Sequence, residues 1–344
     1  MSDFEYDLPP ELIAQEPLEN RSGSRLLVLN RRSAKIRHRL FTDLPELLRP
    51  GDLLVMNDSR VLPARLVGRR TTGGEVEFLL LRALNGHVWE CLMRPARKLR
   101  TGEVVIVAAK NTGDATVATV TVVEKRGDGR AIVELNARLA KHLDSFGRVP
   151  LPPYIHGGLD DDERYQTVYA REPGSAAAPT AGLHFTFQTL DALRERGVEC
   201  AYVTLHVGLD TFRPVTTMYA EDHVVHSEWC SVPEETALAI ATARKRMARI
   251  VAVGTTAART LETYGTCREA RVGKQFSGMT NIFITPGYEW TMVGAMVTNF
   301  HLPKSSLLLM MSSFAGKAML FEAYREAIER RYRFFSFGDA MLVE

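Results

Sequence analysis

The sequence is poor in cysteine, in net charge and in long apolar runs. Its 344 residues include four cysteines, which lie far apart and form no C-x-x-C pair. This excludes a zinc ribbon or a disulfide scaffold and favours a reducing compartment. The longest apolar patch, Leu307 to Met311, is too short to span a bilayer, and the N-terminus is acidic where a secretory signal would be basic. We therefore expect a cytoplasmic protein without a membrane segment.

Net charge is also small. Lys and Arg total 43 against 41 Asp and Glu, a formal net charge of +2. No global excess of positive charge would hold the chain on nucleic acid, so any contact with a polyanion must come from local clusters. Such clusters are usually solvated faces, but gathered on one side they would form a phosphate-binding surface. They are Arg31, Arg32, Lys35, Arg37 and Arg39; Arg94, Arg97, Lys98 and Arg100; and Arg244, Lys245, Arg246 and Arg249.

Length and composition favour two globular domains. Between residues 61 and 153 short β-branched runs alternate with glycine turns, which predicts a small antiparallel β-barrel or sandwich that ends in a proline-rich linker. We predict this domain as an insertion in an α/β domain built from residues 1–60 and 154–344. The predicted strands of the insertion include Glu75–Leu81, His87–Met93, Glu103–Val107, Thr116–Val123 and Ala131–Leu135.

Helical and strand patterns alternate in the rest of the chain. This alternation predicts a largely parallel α/β layer, which residues 1–60 would join with strands of their own. The predicted helices include Gln188–Arg196 and Pro233–Met247. The predicted strands include Asp52–Met56, Glu199–His206, Ile250–Gly254, Asn281–Thr285 and Val293–Phe300.

A stretch of small residues from Gly174 to Thr186 surrounds one imidazole, His184. Small side chains let backbone N–H groups approach a ligand, and histidine titrates near neutral pH. The stretch, which includes Thr180 and Gly182, therefore predicts a site loop. A tightly packed turn with a hydrogen-bonded core histidine is an equally good interpretation.

Two further candidates follow apolar strands. Asp58 and Arg60 come directly after one strand, where Asp58 could act as a base and Arg60 could clamp an anion. An Asx turn with a local Asp–Arg pair fits the same spacing. Gly254, Thr255 and Thr256 come between a strand and a helix, and the helix N-terminus could hold a carboxylate or phosphate. Most capped helices, however, hold no ligand.

A last group of polar residues lies on or just after strand-like segments. His226, Glu228 and Cys230 would share one strand face, which fits a hydrogen-bonded or acid–base pair better than a metal site, because the spacing matches no zinc pattern. We expect no metal. Asn299 and His301 follow an apolar strand. The aromatic and basic segment 331–340 suits either base stacking or the core.

Together these segments resemble the QueA family of S-adenosylmethionine:tRNA ribosyltransferase-isomerases, nearly from end to end. The resemblance implies an α/β barrel-like main domain with an inserted small antiparallel β-barrel. The segments that carry it include Asp3–Pro9, Leu12–Gln15, Asn57–Arg65, Arg94–Lys98, Tyr165–Ala170, Ala178–Thr186, Thr204–Pro214, His226–Glu228, Gly254–Thr256, Thr298–Pro303 and Tyr332–Met341.

The resemblance also implies a reaction. S-adenosylmethionine, as co-substrate, would donate its ribosyl part to a 7-aminomethyl-7-deazaguanine base in the anticodon region of tRNA. The products would be epoxyqueuosine, adenine and methionine. We take His184 and Asp58, then Glu228 and His226, as acid–base candidates in a chain that we expect to be monomeric. Binding of the co-substrate is assigned to Arg60, Thr180, Gly182, Gly254, Thr255, Thr256, Asn299 and His301.

Three positions depart from the family pattern, which usually has Asp at Gly294, Gly at Asp210 and Tyr at Phe337. The missing carboxylate at Gly294 motivates one alternative, a non-catalytic tRNA-binding homologue. A second alternative is a tRNA methyltransferase that uses the same co-substrate, although no G-x-G-x-x-G follows a strand.

Overall fold

The structure is a computed structural model that describes residues 2–110, 117–208 and 227–344. The chain forms two compact units. One consists of Met1–Arg60 together with Pro153–Glu344, and the other of Val61–Pro152. We call them the large unit and the small unit.

Seventeen strands and nine α-helices lie in the described ranges. The strands are β1 (Arg25–Asn30), β2 (Lys35–Leu40), β3 (Leu53–Asn57), β4 (Ser59–Val61), β5 (Arg65–Arg70), β6 (Glu75–Ala83), β7 (Val88–Arg94), β8 (Val104–Ala108), β9 (Val117–Lys125), β10 (Arg130–Leu135), β11 (Glu172–Ser175), β12 (Glu199–Leu205), β13 (Glu228–Val232), β14 (Ile250–Val253), β15 (Phe276–Thr280), β16 (Ala295–Asn299) and β17 (Ala340–Val343). The helices are α1 (Leu44–Leu47), α2 (Ala137–Lys141), α3 (Leu143–Phe146), α4 (Phe187–Glu195), α5 (Glu234–Lys245), α6 (Gly254–Thr266), α7 (Arg268–Val272), α8 (Ser306–Ala315) and α9 (Lys317–Glu329).

The large unit contains a nine-stranded sheet in the order β15-β13-β12-β3-β14-β16-β17-β1-β2. Its strands β3, β14, β16 and β17 are buried on both faces. Alternate residues enter two different cores: Leu53 and Val55 pack on one side of the sheet, Leu54 and Met56 on the other. This two-sided burial explains why these strands are continuous apolar runs in the sequence.

The expectation of a largely parallel layer needs correction. β12, β3, β14 and β16 pair in parallel, as do β17 and β1, but the other four pairings are antiparallel. The predicted strand Asn281–Thr285 is also wrong, because the strand lies earlier, at β15. Thr280 pairs with Glu228, the first residue of β13, so the chain after Thr280 has no ladder partner on that strand.

The small unit is a closed six-stranded barrel in the order β10-β7-β6-β5-β8-β9, with every pairing antiparallel. Side chains alternate between inside and outside. In β8, for example, Val105 and Val107 are buried, whereas Val104 and Ile106 are 40% exposed. The α/β class and the closed antiparallel barrel are therefore confirmed. The sheet of the small unit is closed, whereas the nine-stranded sheet of the large unit is open, with β15 at one edge and β2 at the other.

All four cysteines are free thiols. In the described ranges no single helix is long and apolar enough to cross a membrane. α8 and α9 reach the necessary length and composition only as a pair, bent by 113°.

Candidate active site

Four neighbouring parallel strands of the large unit end at one edge of its sheet. They are β12, β3, β14 and β16, and in α/β folds ligands bind just outside such carboxyl ends. The residues at or directly after these ends are His206, Asp58, Gly254 and Asn299. The fold thus brings to one edge three residues that were predicted from separate segments.

His184 lies at this edge and is fixed on three sides. It is buried at the end of the 3-10 helix Thr180–His184. Its Nδ1 lies 2.8 Å from Ser24 Oγ, and its Nε2 lies 3.1 Å from Asn299 Nδ2. The ring stacks on Phe41, with 5.1 Å between the ring centroids.

The hydrogen bonds of Asn299 determine which nitrogen of His184 carries the proton. Asn299 Nδ2 donates to the carbonyl of Phe335 at 3.2 Å, and Oδ1 accepts from Thr180 Oγ1 at 3.2 Å. Because the carbonyl can only accept, the amide must present its nitrogen to it and to His184 Nε2. Nε2 is therefore the acceptor, and Nδ1–H donates to Ser24 Oγ. The proton of the Ser24 hydroxyl remains free to point elsewhere.

His184 is neutral at physiological pH. Burial, together with the positive charges of Arg333 and Arg21, lowers its pKa to about 3. The resting imidazole can therefore accept a proton but has none in excess to give.

A small cavity of about 20 Å³ lies beside His184. Ser24, His184 and Phe337 line it, as do Arg21 and Arg164. Both arginines donate to backbone carbonyl oxygens. These bonds bring no negative charge to the two arginines, although the carboxylates of Asp161 and Glu163 act on Arg21 from nearby.

Two glycines of the predicted site segments, Gly182 in the loop and Gly254 at the start of α6, have packing reasons. A Cβ on Gly182 would lie 2.1 Å from the hydroxyl oxygen of Tyr169. Gly254 has a φ of +82°, and a Cβ there would lie 3.4 Å from that of Ala181. These small residues let the first turn of α6 pack close to the 3-10 helix that carries His184, so part of the small-residue signal comes from protein packing.

The N-terminus of α6 has unused hydrogen-bonding capacity. No side chain caps it. Thr255 is buried, and the buried Oγ1 of Thr256 has no hydrogen-bond partner among the described residues. Free backbone N–H groups and the helix dipole favour an anion at such an end.

Asp58 is buried, and both of its carboxylate oxygens are occupied. Oδ2 accepts from Arg171 Nε at 2.6 Å, and Oδ1 accepts from Thr204 Oγ1 at 2.7 Å. Burial raises the pKa of Asp58, and the hydrogen bonds from Thr204 and Arg171 oppose that rise. In this arrangement Asp58 joins β12 to the segment that carries Arg171.

The remaining predicted residues have other partners. Arg60 forms a largely exposed ion pair with Glu163. Glu228 is buried against Arg259 of α6 and accepts from the backbone N–H of Gly208 at 2.8 Å. His226 and Asp210 lie outside the described residues.

His301 is held in the main core. Its Nε2 lies 2.9 Å from Thr298 Oγ1, and its backbone N–H donates to the hydroxyl of Tyr324. Burial lowers its pKa to about 3. The aromatic segment near the C-terminus is core as well, since Tyr332 and Phe334 are buried.

The departure at Gly294 lies away from this edge. Gly294 precedes the first residue of β16, whereas Asn299 ends it, about 16 Å farther along the strand. A Cβ at position 294 would approach the side chain of Arg249, which already pairs with Asp52 and Glu344. The other described departure, Phe337, is buried with its ring 5.8 Å from that of Tyr165.

One feature of the site and one of the segment before β16 escaped the sequence analysis. Ser24 immediately precedes β1. Because β1 runs antiparallel to β16, the start of β1 lies at the same edge of the sheet as the end of β16, and only the strand order reveals this. Glu262 is fully buried, and its carboxylate accepts from Tyr288, from the backbone and hydroxyl of Thr291, and from the backbone N–H groups of Met292 and Val293, at 2.9–3.0 Å. It fixes the segment that leads into β16.

The described ranges contain no group of three or more His, Cys, Asp or Glu side chains that could hold a metal ion.

Comparison with known proteins identifies the family. The family model described as queuosine biosynthesis protein matches residues 1–343. The S-adenosylmethionine:tRNA ribosyltransferase-isomerase of Symbiobacterium thermophilum is 53% identical over 100% of this chain and 99% of its own length, and that of Acetivibrio thermocellus is 49% identical over the same shares. A crystal structure of S-adenosylmethionine tRNA ribosyltransferase from Thermotoga maritima is 39% identical, covers 99% of this chain and 100% of its own, and superposes with a TM-score of 0.58. The chain belongs to the queuosine biosynthesis protein family.

Proposed function

We propose that this protein is an S-adenosylmethionine:tRNA ribosyltransferase-isomerase. It transfers the ribosyl part of S-adenosylmethionine to a 7-aminomethyl-7-deazaguanine base in the anticodon region of tRNA, and it releases adenine and methionine as epoxyqueuosine forms. Family membership and the names of relatives that align with nearly the whole chain support this function.

The reaction places three demands on the site. A base must remove a proton from the ribose methylene that the sulfonium acidifies. Adenine must receive a proton as its bond to the sugar breaks. The amine of the RNA base then adds to the opened sugar, and closure of the new carbon ring onto the sugar aldehyde leaves an alkoxide. That oxygen displaces methionine from the carbon that carries the sulfonium, which forms the epoxide. Water must be excluded throughout.

The observation that carries the proposal is the His184 imidazole held between Ser24 and Asn299 beside a small cavity that Arg21 and Arg164 also line. We assign the base to Nε2 of His184, the imidazole nitrogen that carries the lone pair; the amide of Asn299, which now donates to it at 3.1 Å, must turn away when substrate binds. Ser24, whose hydroxyl accepts from Nδ1–H, is a positioning residue that orients the ring. Asn299 and Thr180 are positioning residues that fix the tautomer. Once protonated at Nε2 by the substrate, His184 can return that proton to adenine.

We assign the carboxylate of the co-substrate to the N-terminus of α6, at Gly254, Thr255 and Thr256. The support is the uncapped helix end with the unpartnered Thr256 Oγ1. Arg60 is the weaker candidate, because its guanidinium already pairs with Glu163. Asp58 and Glu228 are better described as positioning residues, since each already has an arginine partner.

The reason for considering a non-catalytic homologue is now weaker. It rested on the missing carboxylate at Gly294, which precedes β16 at the end opposite to Asn299 and His184.

Product analysis tests the proposal. After incubation with S-adenosylmethionine and tRNA that carries the aminomethyl base, we expect free adenine and methionine in equal amounts. Accumulation of S-adenosylhomocysteine would instead indicate a methyltransferase, and tRNA binding without any adenine release would indicate a non-catalytic homologue.

Matched serine variants test the assigned base. Ser24→Ala should lower adenine release by up to about 10²-fold, because the imidazole loses the hydroxyl that orients its ring. Ser22→Ala is the control, because Ser22 is also buried but donates to Asn20 at 3.0 Å. His184→Gln should lose more activity than Ser24→Ala. Wild-type turnover in either of these two variants would refute the assignment, provided that thermal unfolding shows a folded protein.

A further inference from the structure

The two units differ in charge. The small unit has 15 Lys and Arg against 9 Asp and Glu, a net charge of +6, and the rest of the chain has 28 against 32, a net charge of −4. The overall value of +2 therefore hides a segregation of charge, with the excess of positive charge in the inserted barrel.

Within the barrel, one segment concentrates exposed cations. Residues 94–100 connect β7 to the turn before β8, and their four basic side chains all point to solvent. The next carboxylate along the chain is Glu103, which Arg70 already holds at 2.5 Å. We call this group the 94–100 patch; it consists of Arg94, Arg97, Lys98 and Arg100.

The backbone of the patch is ordered by the barrel. Leu99 is buried in the barrel core and anchors the segment, and Ala96–Lys98 form a 3-10 helix. The N–H of Arg100 donates to the carboxylate of Glu103 at 2.9 Å. Lys125 adds a fifth cation, because its Nζ donates to the carbonyl of Leu99 at 2.8 Å. A surface held in this way loses little conformational freedom when it binds.

The patch differs from five other arginines of the barrel in its partners. Among the described residues, none of its four side chains lies within 4 Å of a carboxylate oxygen, and Glu77, which faces Arg94 across the strands, pairs with Arg65 instead. Five arginines elsewhere in the barrel each pair with a glutamate. The pairs are Arg65–Glu77, Arg70–Glu103, Arg82–Glu90, Arg126–Glu124 and Arg130–Glu90.

We propose that the 94–100 patch binds the phosphate backbone of the RNA substrate, an inference that rests on the proposed function. Three of its four side chains are arginines, whose planar guanidinium groups match phosphate oxygens. When unpaired cations bind phosphates, the counterions that were condensed on the nucleic acid are released, and this release drives binding. An acidic protein partner is less well suited, because the segment exposes no aromatic or large aliphatic side chain to form an apolar centre.

Charge-matched variants test the patch. Arg94, Arg97, Lys98 and Arg100 are all changed to Gln in one full-length variant. In the control, R65Q, R82Q, R126Q and R130Q remove the same charge from the same unit, but at positions that face glutamates. Binding of an unmodified tRNA transcript is measured by fluorescence anisotropy between 50 and 200 mM salt, so the readout does not depend on catalysis.

The patch variant should bind tRNA about 10- to 100-fold more weakly, and the slope of log K against log salt should fall by about 3, close to 0.7–0.9 for each lost contact. The control should keep the wild-type slope to within about 1. Equal losses in the two variants, or no loss in either, would overturn the patch while leaving the proposed function intact. Failure of the wild-type protein to bind tRNA would instead count against the proposed function. If the patch variant kept its binding of tRNA but lost the binding of an acidic peptide that the wild type binds, the patch would be assigned to a protein partner.

Discussion

Acid should destabilise this protein through two buried histidines. In the folded chain His184 and His301 both have a pKa lowered to about 3 by burial. In the unfolded chain their pKa returns to about 6.5. Between these two values the unfolded state binds more protons than the folded state, so the free energy of unfolding falls as the pH falls.

The magnitude follows from the difference in proton uptake. Between pH 7 and pH 5 the unfolded imidazole becomes protonated while the folded one stays neutral, which costs about 2 kcal/mol for each histidine. The two together should cost about 4 kcal/mol, a large share of the stability of an ordinary domain.

Urea unfolding at pH 7 and pH 5 measures this loss. In His184→Gln the difference between the two pH values should be smaller than in the wild type by about 2 kcal/mol, because glutamine does not titrate. His156→Gln is the control, since His156 is exposed in the folded chain and its removal should leave the difference unchanged. If His184→Gln lost as much stability as the wild type between pH 7 and pH 5, the neutral buried imidazole on which the proposed base depends would be wrong.

Two further predictions concern buried carboxylates. Glu262→Gln should lower the free energy of unfolding by about 2–4 kcal/mol, because its amide would turn donors toward N–H groups that now donate to the carboxylate. The exposed Glu289→Gln, in the same segment, should cost less than about 0.5 kcal/mol in the same urea assay. Arg171→Met should lower the free energy of unfolding by about 1–3 kcal/mol at pH 7. This is less than for a fully buried ion pair, because Arg171 is half exposed. Its removal should raise the pKa of Asp58 further, so the cost should be smaller at pH 5 than at pH 7; an equal cost at both would show that Arg171 does not stabilise the ionised carboxylate.

The sequence was informative where burial imposes a period on it. The apolar runs of β3, β14 and β16 and the alternation of β8 predicted strands to within one or two residues, because two-sided and one-sided burial leave different patterns. Asn281–Thr285 has an equally strand-like composition but lacks a partner on β13, and pairing cannot be read from composition. The small-residue loop around His184 was found for a partly different reason, since Gly182 and Gly254 serve packing.

The partners of the site residues could not be predicted, because they depend on strand order. Ser24 meets His184 only because β1 runs antiparallel to β16, and no local signal before β1 indicates this. In the same way Asp58 resembled a free base in the sequence, whereas Arg171 and Thr204 occupy both of its oxygens in the fold.

Isotope transfer tests the central claim most directly. The enzyme is incubated with an anticodon stem-loop that carries the aminomethyl-deazaguanine base and with S-adenosylmethionine labelled either in its ribose carbons or in its methyl group, and the RNA is then analysed by mass spectrometry. Ribosyl transfer predicts that the ribose label enters the modified base and the methyl label does not. Methyl label in the RNA, or neither label with folded enzyme, would contradict the account.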